Sequence, residues 1–325
     1  MIRARGSISG STATDHKMTS ESAWYHRGRD TLETAQFKVI YVSPRSGLIL
    51  FRGIPHAYLD RTGHLGVWSV SRFFTHAASL AIQNGYFDHK NIDTASTRAF
   101  VVGQGLRLSS NLYHDISNIL SSNLHVESRA AAIGRTSMTN LFILSCADTK
   151  QELARCVTTL VLTSTSTKRP TPLPDWFQEK YANESGAKLD LLQDGVKTKR
   201  EYQNVPEECF RMEMKTRHSD TDFNNHVNQT NYFQFCMEGA GEAALSQYYR
   251  NFTSDILRHP VLESDIIYLG ESRACEDLTV STWQDKENEL VIHFSIYNKS
   301  SSKCVAVASI KFDTRSRRPP TSSNL

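Results

Sequence analysis

The densest run of functional side chains in this 325-residue sequence lies between His218 and Tyr232. Within it Asp222, Asn224 and His226 place a carboxylate, a carboxamide and an imidazole at positions i, i+2 and i+4. An apolar helical pattern begins just beyond them. The unpaired N–H groups of a helix's first turn carry partial positive charge, so this is a place where an oxyanion could be held beside an acid and a base. The plainer reading is a turn followed by a helix cap, since Asp and Asn favour both. A cap needs one such residue, and here an acid, an amide and an imidazole stand together.

The elements around this run form two similar halves. Val70, Phe73, Phe74, Ala77 and Ala81 follow the i, i+3, i+4, i+7, i+11 template of a buried helical stripe, and Phe233, Cys236, Met237, Ala240 and Ala244 repeat it. Alternating or β-branched runs at 278–283, 290–297 and 304–312 predict antiparallel strands after the second helix, and 138–145 and 156–163 predict their counterparts after the first. Each half therefore reads as one long helix against an antiparallel sheet, an α+β class repeated after about 160 residues. The boundaries are placed at a flexible leader over 1–34, a first unit over 35–165, a connector marked by Pro170, Pro172 and Pro174 over 166–205, a second unit over 206–315 and a flexible tail over 316–325.

The motif resembles that of the hot-dog-fold thioesterases, in particular the acyl-acyl-carrier-protein thioesterases. Their pattern is met without gaps by Asp222, Asn224, His226, Val227, Asn228, Tyr232 and Glu238. The resemblance implies two tandem hot-dog domains forming a pseudo-dimer, with the catalytic loop in the second. It also implies thioester hydrolysis, releasing a fatty acid from acyl-carrier protein or acyl-CoA, and it leaves a homodimer of such chains open. A further family acid aligns with Glu271. The catalytic set it suggests is Asp222, Asn224, His226 and Glu271: Asp222 or Glu271 activates water, His226 orients it or protonates the departing thiolate, and Asn224 positions the carbonyl or the water. Glu238 is left out of that set. Some family members carry a Cys directly after the acid. Here that residue is Ser272, which disfavours a cysteine nucleophile unless Cys275 takes its place through a bulge.

The first half keeps a trace of the same loop. Asp60 and His64 lie 162 residues before Asp222 and His226, while Thr62 and Gly66 stand where the carboxamides would be. That loop is expected to shape the pocket without performing chemistry. Phe73, Phe74, Phe233 and Phe235 are candidates for closing the acyl tunnel.

Other classes of function are disfavoured. Twelve His and six Cys residues show no zinc-ligand spacing, so no metal is expected, and no Gly-rich phosphate loop predicts another cofactor. No Gly-x-Ser-x-Gly elbow points to an α/β-hydrolase. A net charge of +3 over the whole chain predicts no nucleic-acid partner, and no apolar run approaches the roughly 18 residues of a membrane span. Scattered cysteines predict reduced thiols and a cytoplasmic location. Arg3 and Arg5 faintly suggest a mitochondrial leader, and the C-terminal Ser323, Asn324 and Leu325 approach a peroxisomal signal without its Lys. Two alternatives share the fold: a dehydratase or hydratase acting on acyl thioesters, and a protein that binds acyl thioesters without cleaving them.

Overall fold

The structure is a computed structural model and describes residues 33–114, 116–181 and 205–313. The expected leader to residue 32 and the tail from 314 lie outside the described residues, as does the connector from 182 to 204.

In chain order the strands are β1 (Phe37–Val42), β2 (Ser46–Arg52), β3 (Thr97–Leu108), β4 (Asn123–Ile133), β5 (Ser137–Cys146), β6 (Glu152–Ser164), β7 (Phe210–Lys215), β8 (Val261–Tyr268), β9 (Asp277–Gln284), β10 (Val291–Asn298) and β11 (Lys303–Phe312). The helices are α1 (Val67–Gln83), α2 (His89–Ile92), α3 (Asn111–His114), α4 (Ile116–Ser121), α5 (Asp175–Tyr181) and α6 (Gln229–Leu245). The strands form one sheet in the order β1-β2-β4-β5-β6-β3-β8-β11-β10-β9-β7. All its ladders are antiparallel.

The first six strands with α1 form one hot-dog unit and the last five with α6 form the other. Strands β3 and β8 pair from Gly103↔Ile267 to Arg107↔Glu263 and fuse the two half-sheets. Each unit thus closes an edge that would otherwise expose unpaired backbone groups.

Both expected helical stripes are buried. On α1, Phe73 packs against Phe51 of β2 and Phe74 against Phe142 of β5. Helix α6 buries more than its stripe, adding Tyr232, Phe235, Gly239 and Ala243. Gly239 permits close approach to the sheet, because a Cβ there would stand 2.9 Å from Val280 Cγ1. The two helices also pack on each other, and Arg72 of α1 donates to Thr230 Oγ1 (3.3 Å) and Gln234 Oε1 (3.2 Å) of α6.

The first part of the expected connector, as far as Tyr181, is ordered. Thr163 bridges Pro170, Leu173 N–H donates to the Arg135 carbonyl at 2.8 Å, and α5 follows. Phe177 and Tyr181 of α5 are fully buried against Phe87, with the Phe87 and Tyr181 rings stacked 4.8 Å apart. Burying three aromatic rings stabilises an ordered strap where composition alone suggests a spacer.

Candidate active site

Strand β7 leads through Thr216 into a short 3₁₀ turn at His218–Asp220, and the chain then folds back before α6. A bridge between Thr221 and Val227 closes the loop at its neck. Inside it Asp222 N–H donates to the His226 carbonyl (2.8 Å), and Asp222 Oδ1 accepts from the N–H of Asn224 (2.8 Å) and of His226 (3.4 Å). Asn225 takes φ +61°, a conformation that Asn tolerates better than most residues. The carboxylate therefore staples its own loop with one oxygen. Its Oδ2 accepts no hydrogen bond from the described residues.

The staple aims His226 at the turn that follows β8. Val227 N–H donates to the Ser272 carbonyl at 2.8 Å, which holds the two loops together. His226 Nε2 then lies 3.3 Å from Glu271 Oε2, with side-chain exposures of 26% and 57%. Of the four expected site residues, these two meet directly. Asp222 supports His226 from within the loop, while Asn224 is exposed on the same loop. Phe223, between them, is 93% exposed.

Helix α6 begins at this loop, capped by Asn228, whose Oδ1 accepts from Thr230 N–H at 3.0 Å. Asn231 N–H bonds the Asn228 carbonyl. Two of the amides expected to face an oxyanion are thus engaged by the cap. That of Gln229 has no partner among the described residues. Burial pushes the Tyr232 hydroxyl up to about 12, with Ser272 beside it drawing it partly back, so Tyr232 is a neutral phenol that can donate but not act as a base. Cys275 does not stand in for a nucleophile beside His226: its Sγ lies 3.6 Å from a different imidazole, that of His218. Glu238 is exposed on α6. Among the described residues no cluster of His, Cys, Asp and Glu could hold a metal.

The Asp60 loop repeats the architecture. Asp60 N–H donates to the His64 carbonyl (2.7 Å), Asp60 Oδ1 accepts from Thr62 N–H (2.8 Å) and His64 N–H (3.2 Å), and Gly63 takes the positive φ. Its imidazole is only 3% exposed, with Nδ1 3.1 Å from Thr62 Oγ1. In this unit a cavity of about 340 Å³ opens between α1 and β2, lined by Phe51, Ile54, Pro55, Tyr58, Phe73 and His76. Phe73 is the one expected tunnel residue that reaches it, since Phe74, Phe233 and Phe235 lie fully within the core.

The fold is a tandem hot-dog arrangement, and comparison with known proteins agrees. Residues 203–314 match the family model of the acyl-ACP thioesterase C-terminal domain. The structure resembles a 12:0-ACP thioesterase from Umbellularia californica, with TM-score 0.62 and 15% identity over 82% of this chain and 97% of that one. It also resembles an acyl-ACP thioesterase from Bacteroides thetaiotaomicron, with TM-score 0.59 and 14% identity over 82% of this chain and 98% of that one. No curated protein sequence matches the chain. The family match covers the C-terminal unit, and the structural likeness extends the hot-dog fold over both units. No helix among the described residues is long and apolar enough to cross a membrane.

Proposed function

We propose that the protein releases fatty acids from acyl-carrier protein, with Glu271 as the general base and His226 as its partner. The observation that carries this is the 3.3 Å contact between His226 Nε2 and Glu271 Oε2 at the start of α6. Between the two carboxylates that the sequence leaves open, Asp222 has one oxygen committed to the loop, whereas Glu271 is open to a water molecule. A water oxygen attacks the thioester carbonyl carbon and its proton passes to Glu271. The carbon–sulfur bond then breaks, and the thiolate takes a proton through His226. The free Gln229 N–H faces the developing oxyanion and the exposed Asn224 carboxamide holds the carbonyl or the water. The cavity beside Phe73, whose lining mixes Phe51, Ile54 and Leu120 with Gln36, Arg52 and His76, takes the acyl chain.

The test is a panel of acyl-carrier-protein and acyl-CoA thioesters of graded chain length, read by release of free thiol, with the Glu271→Gln protein alongside. Removing a general base lowers kcat by about 100-fold or more. Wild-type turnover in Glu271→Gln overturns the assignment of the base. Binding without thiol release overturns the hydrolytic reading, and hydration of an enoyl thioester without cleavage replaces it with a hydratase. Faster release from coenzyme A than from the carrier protein overturns the carrier assignment.

A further inference from the structure

Glu271 is presented to His226 by the residue that follows it. Ser272 is buried; its carbonyl holds Val227 N–H, and its hydroxyl accepts a hydrogen bond from Asn298 Nδ2 at 3.1 Å. Asn298, the last residue of β10, is fully buried. Its carboxamide donates a second hydrogen bond to Glu276 Oε2 (2.5 Å), and its Oδ1 accepts from Ser301 N–H (3.1 Å). Glu276 Oε2 also accepts from Arg273 N–H at 2.9 Å. The Glu276 main chain is tied on both sides to Thr216, and Thr216 Oγ1 donates to the Arg273 carbonyl at 2.6 Å. Thr216 opens the loop that carries His226. The turn bearing Glu271 and the loop bearing His226 therefore hang from one buried brace that joins the ends of β7, β8 and β10.

The first unit builds the same backbone without it. Gly53 N–H bonds the Ser122 carbonyl (3.1 Å) as Thr216 N–H bonds that of Glu276 (3.0 Å), and Ala147 N–H bonds Asn123 (2.8 Å) as Lys299 N–H bonds Asp277 (2.9 Å). Leu124 pairs with Cys146 in register as Leu278 pairs with Asn298. Gly53, Ser122 and Cys146 thus occupy the places of Thr216, Glu276 and Asn298. The fold forms with none of the three. A buried carboxamide with both donors used is a demanding arrangement, since any unmatched polar atom there is destabilising. It stands only in the unit whose histidine meets a carboxylate.

We propose that Asn298 is a positioning residue: through Ser272 it fixes the backbone that sets Glu271 against His226. This rests on Glu271 being the base. The decisive variant is Asn298→Cys, which installs the residue the first unit carries at that place. With dodecanoyl-carrier-protein as substrate, kcat falls about 10- to 100-fold while KM stays within about twofold, as expected when a catalytic group is displaced and substrate contacts are not. Circular dichroism at the assay temperature stays close to wild type, while the melting temperature falls by a few degrees because Ser272, Glu276 and Ser301 lose their partner. Asn298→Asp combined with Glu276→Gln reverses the amide and the carboxylate and recovers most of the loss, because the introduced glutamine amide and the Ser272 hydroxyl can then donate to the new acid. If Asn298→Cys does not fold, Ser272→Ala is read in the same way, keeping the bond between Asn298 and Glu276. Wild-type kcat, a change in KM alone, or no recovery in the reversed pair overturns the proposal. A collapse of Glu271→Gln beside an unaffected Asn298→Cys removes only the brace; wild-type turnover in Glu271→Gln removes the reading beneath it.

Discussion

The loops around His64 and His226 share a backbone and the Asp that caps it, and differ in what surrounds the imidazole. In both, an Asp side chain caps the N–H groups two and four residues on, and a residue at positive φ turns the chain between them. In the first unit the imidazole is buried beside Thr62. In the second it is partly exposed beside Glu271. The Asp-capped loop is thus a structural device common to both units, and what the second alone has is a carboxylate after β8 against the imidazole, a solvent-exposed carboxamide within the loop and a brace behind both. An Asp and a His at the right spacing do not make a site by themselves.

The largest effect expected separates the two histidines. His226→Ala lowers kcat by about 100-fold or more, the usual contribution of an acid–base group. His64→Ala leaves kcat per folded molecule unchanged and lowers the denaturation midpoint, because it opens a cavity in the first unit. Equal losses of turnover would mean that both loops are active.

The next test separates the staple from the base. Asp222→Asn keeps the oxygen that accepts from Asn224 and His226 and is expected to lose less than about tenfold in kcat, whereas Asp222→Ala also leaves two amides uncapped, a loss of about 1–3 kcal/mol in loop stability. Asp60→Ala should show the same structural loss with turnover intact, measured by denaturation and thiol release together. A collapse of Asp222→Asn would instead give Asp222 the role of base.

The helix caps offer a smaller contrast. Gly66 starts α1 without a side-chain bond, while Asn228 caps α6. Asn228→Ala should lower stability by about 1 kcal/mol in chemical denaturation. Gly66→Asn cannot gain as much, because a Cβ at Gly66 would stand 2.6 Å from the Trp68 ring.

The smallest effect concerns acid stability. Burial pushes the Asp285 carboxyl up, yet bonds from His293 and the amides of Asn288 and Glu287 outweigh it and hold the group below the usual range. A depressed carboxyl contributes stability above its unfolded pKa and loses it as pH falls through the folded value, so the contribution fades below about pH 4. The corresponding hairpin of the first unit, at Gly134, Arg135 and Thr136, has no carboxylate. Asp285→Asn should therefore lower the neutral plateau by the share this carboxylate contributes and leave a flatter acid limb in a stability-against-pH curve. An unaltered acid limb would break this part of the comparison.

Much of the arrangement is legible in sequence because it depends on local periodicity. The stripes on α1 and α6 are continuous in the chain, and the 162-residue echo of Asp and His marks both loops. Helix α5 is harder to see, although Leu173, Phe177 and Tyr181 recur at every fourth position; the prolines before it hide a short apolar face. The brace leaves no local signal. Ser272 and Asn298 are 26 residues apart and become neighbours only when β9 and β10 pair in register.

The amino-acid order by itself determined the two helices and the loop that carries Asp222 and His226, since each follows from residues within a few positions of one another, and the repeat, since the same local patterns recur about 160 residues on. The meeting of His226 with Glu271, the fusion of half-sheets through β3 and β8 and the burial of Asn298 were decided by tertiary structure. Strand pairing brings distant segments together with a register that backbone hydrogen bonds and the buried face impose jointly, and neither condition is written in any single segment.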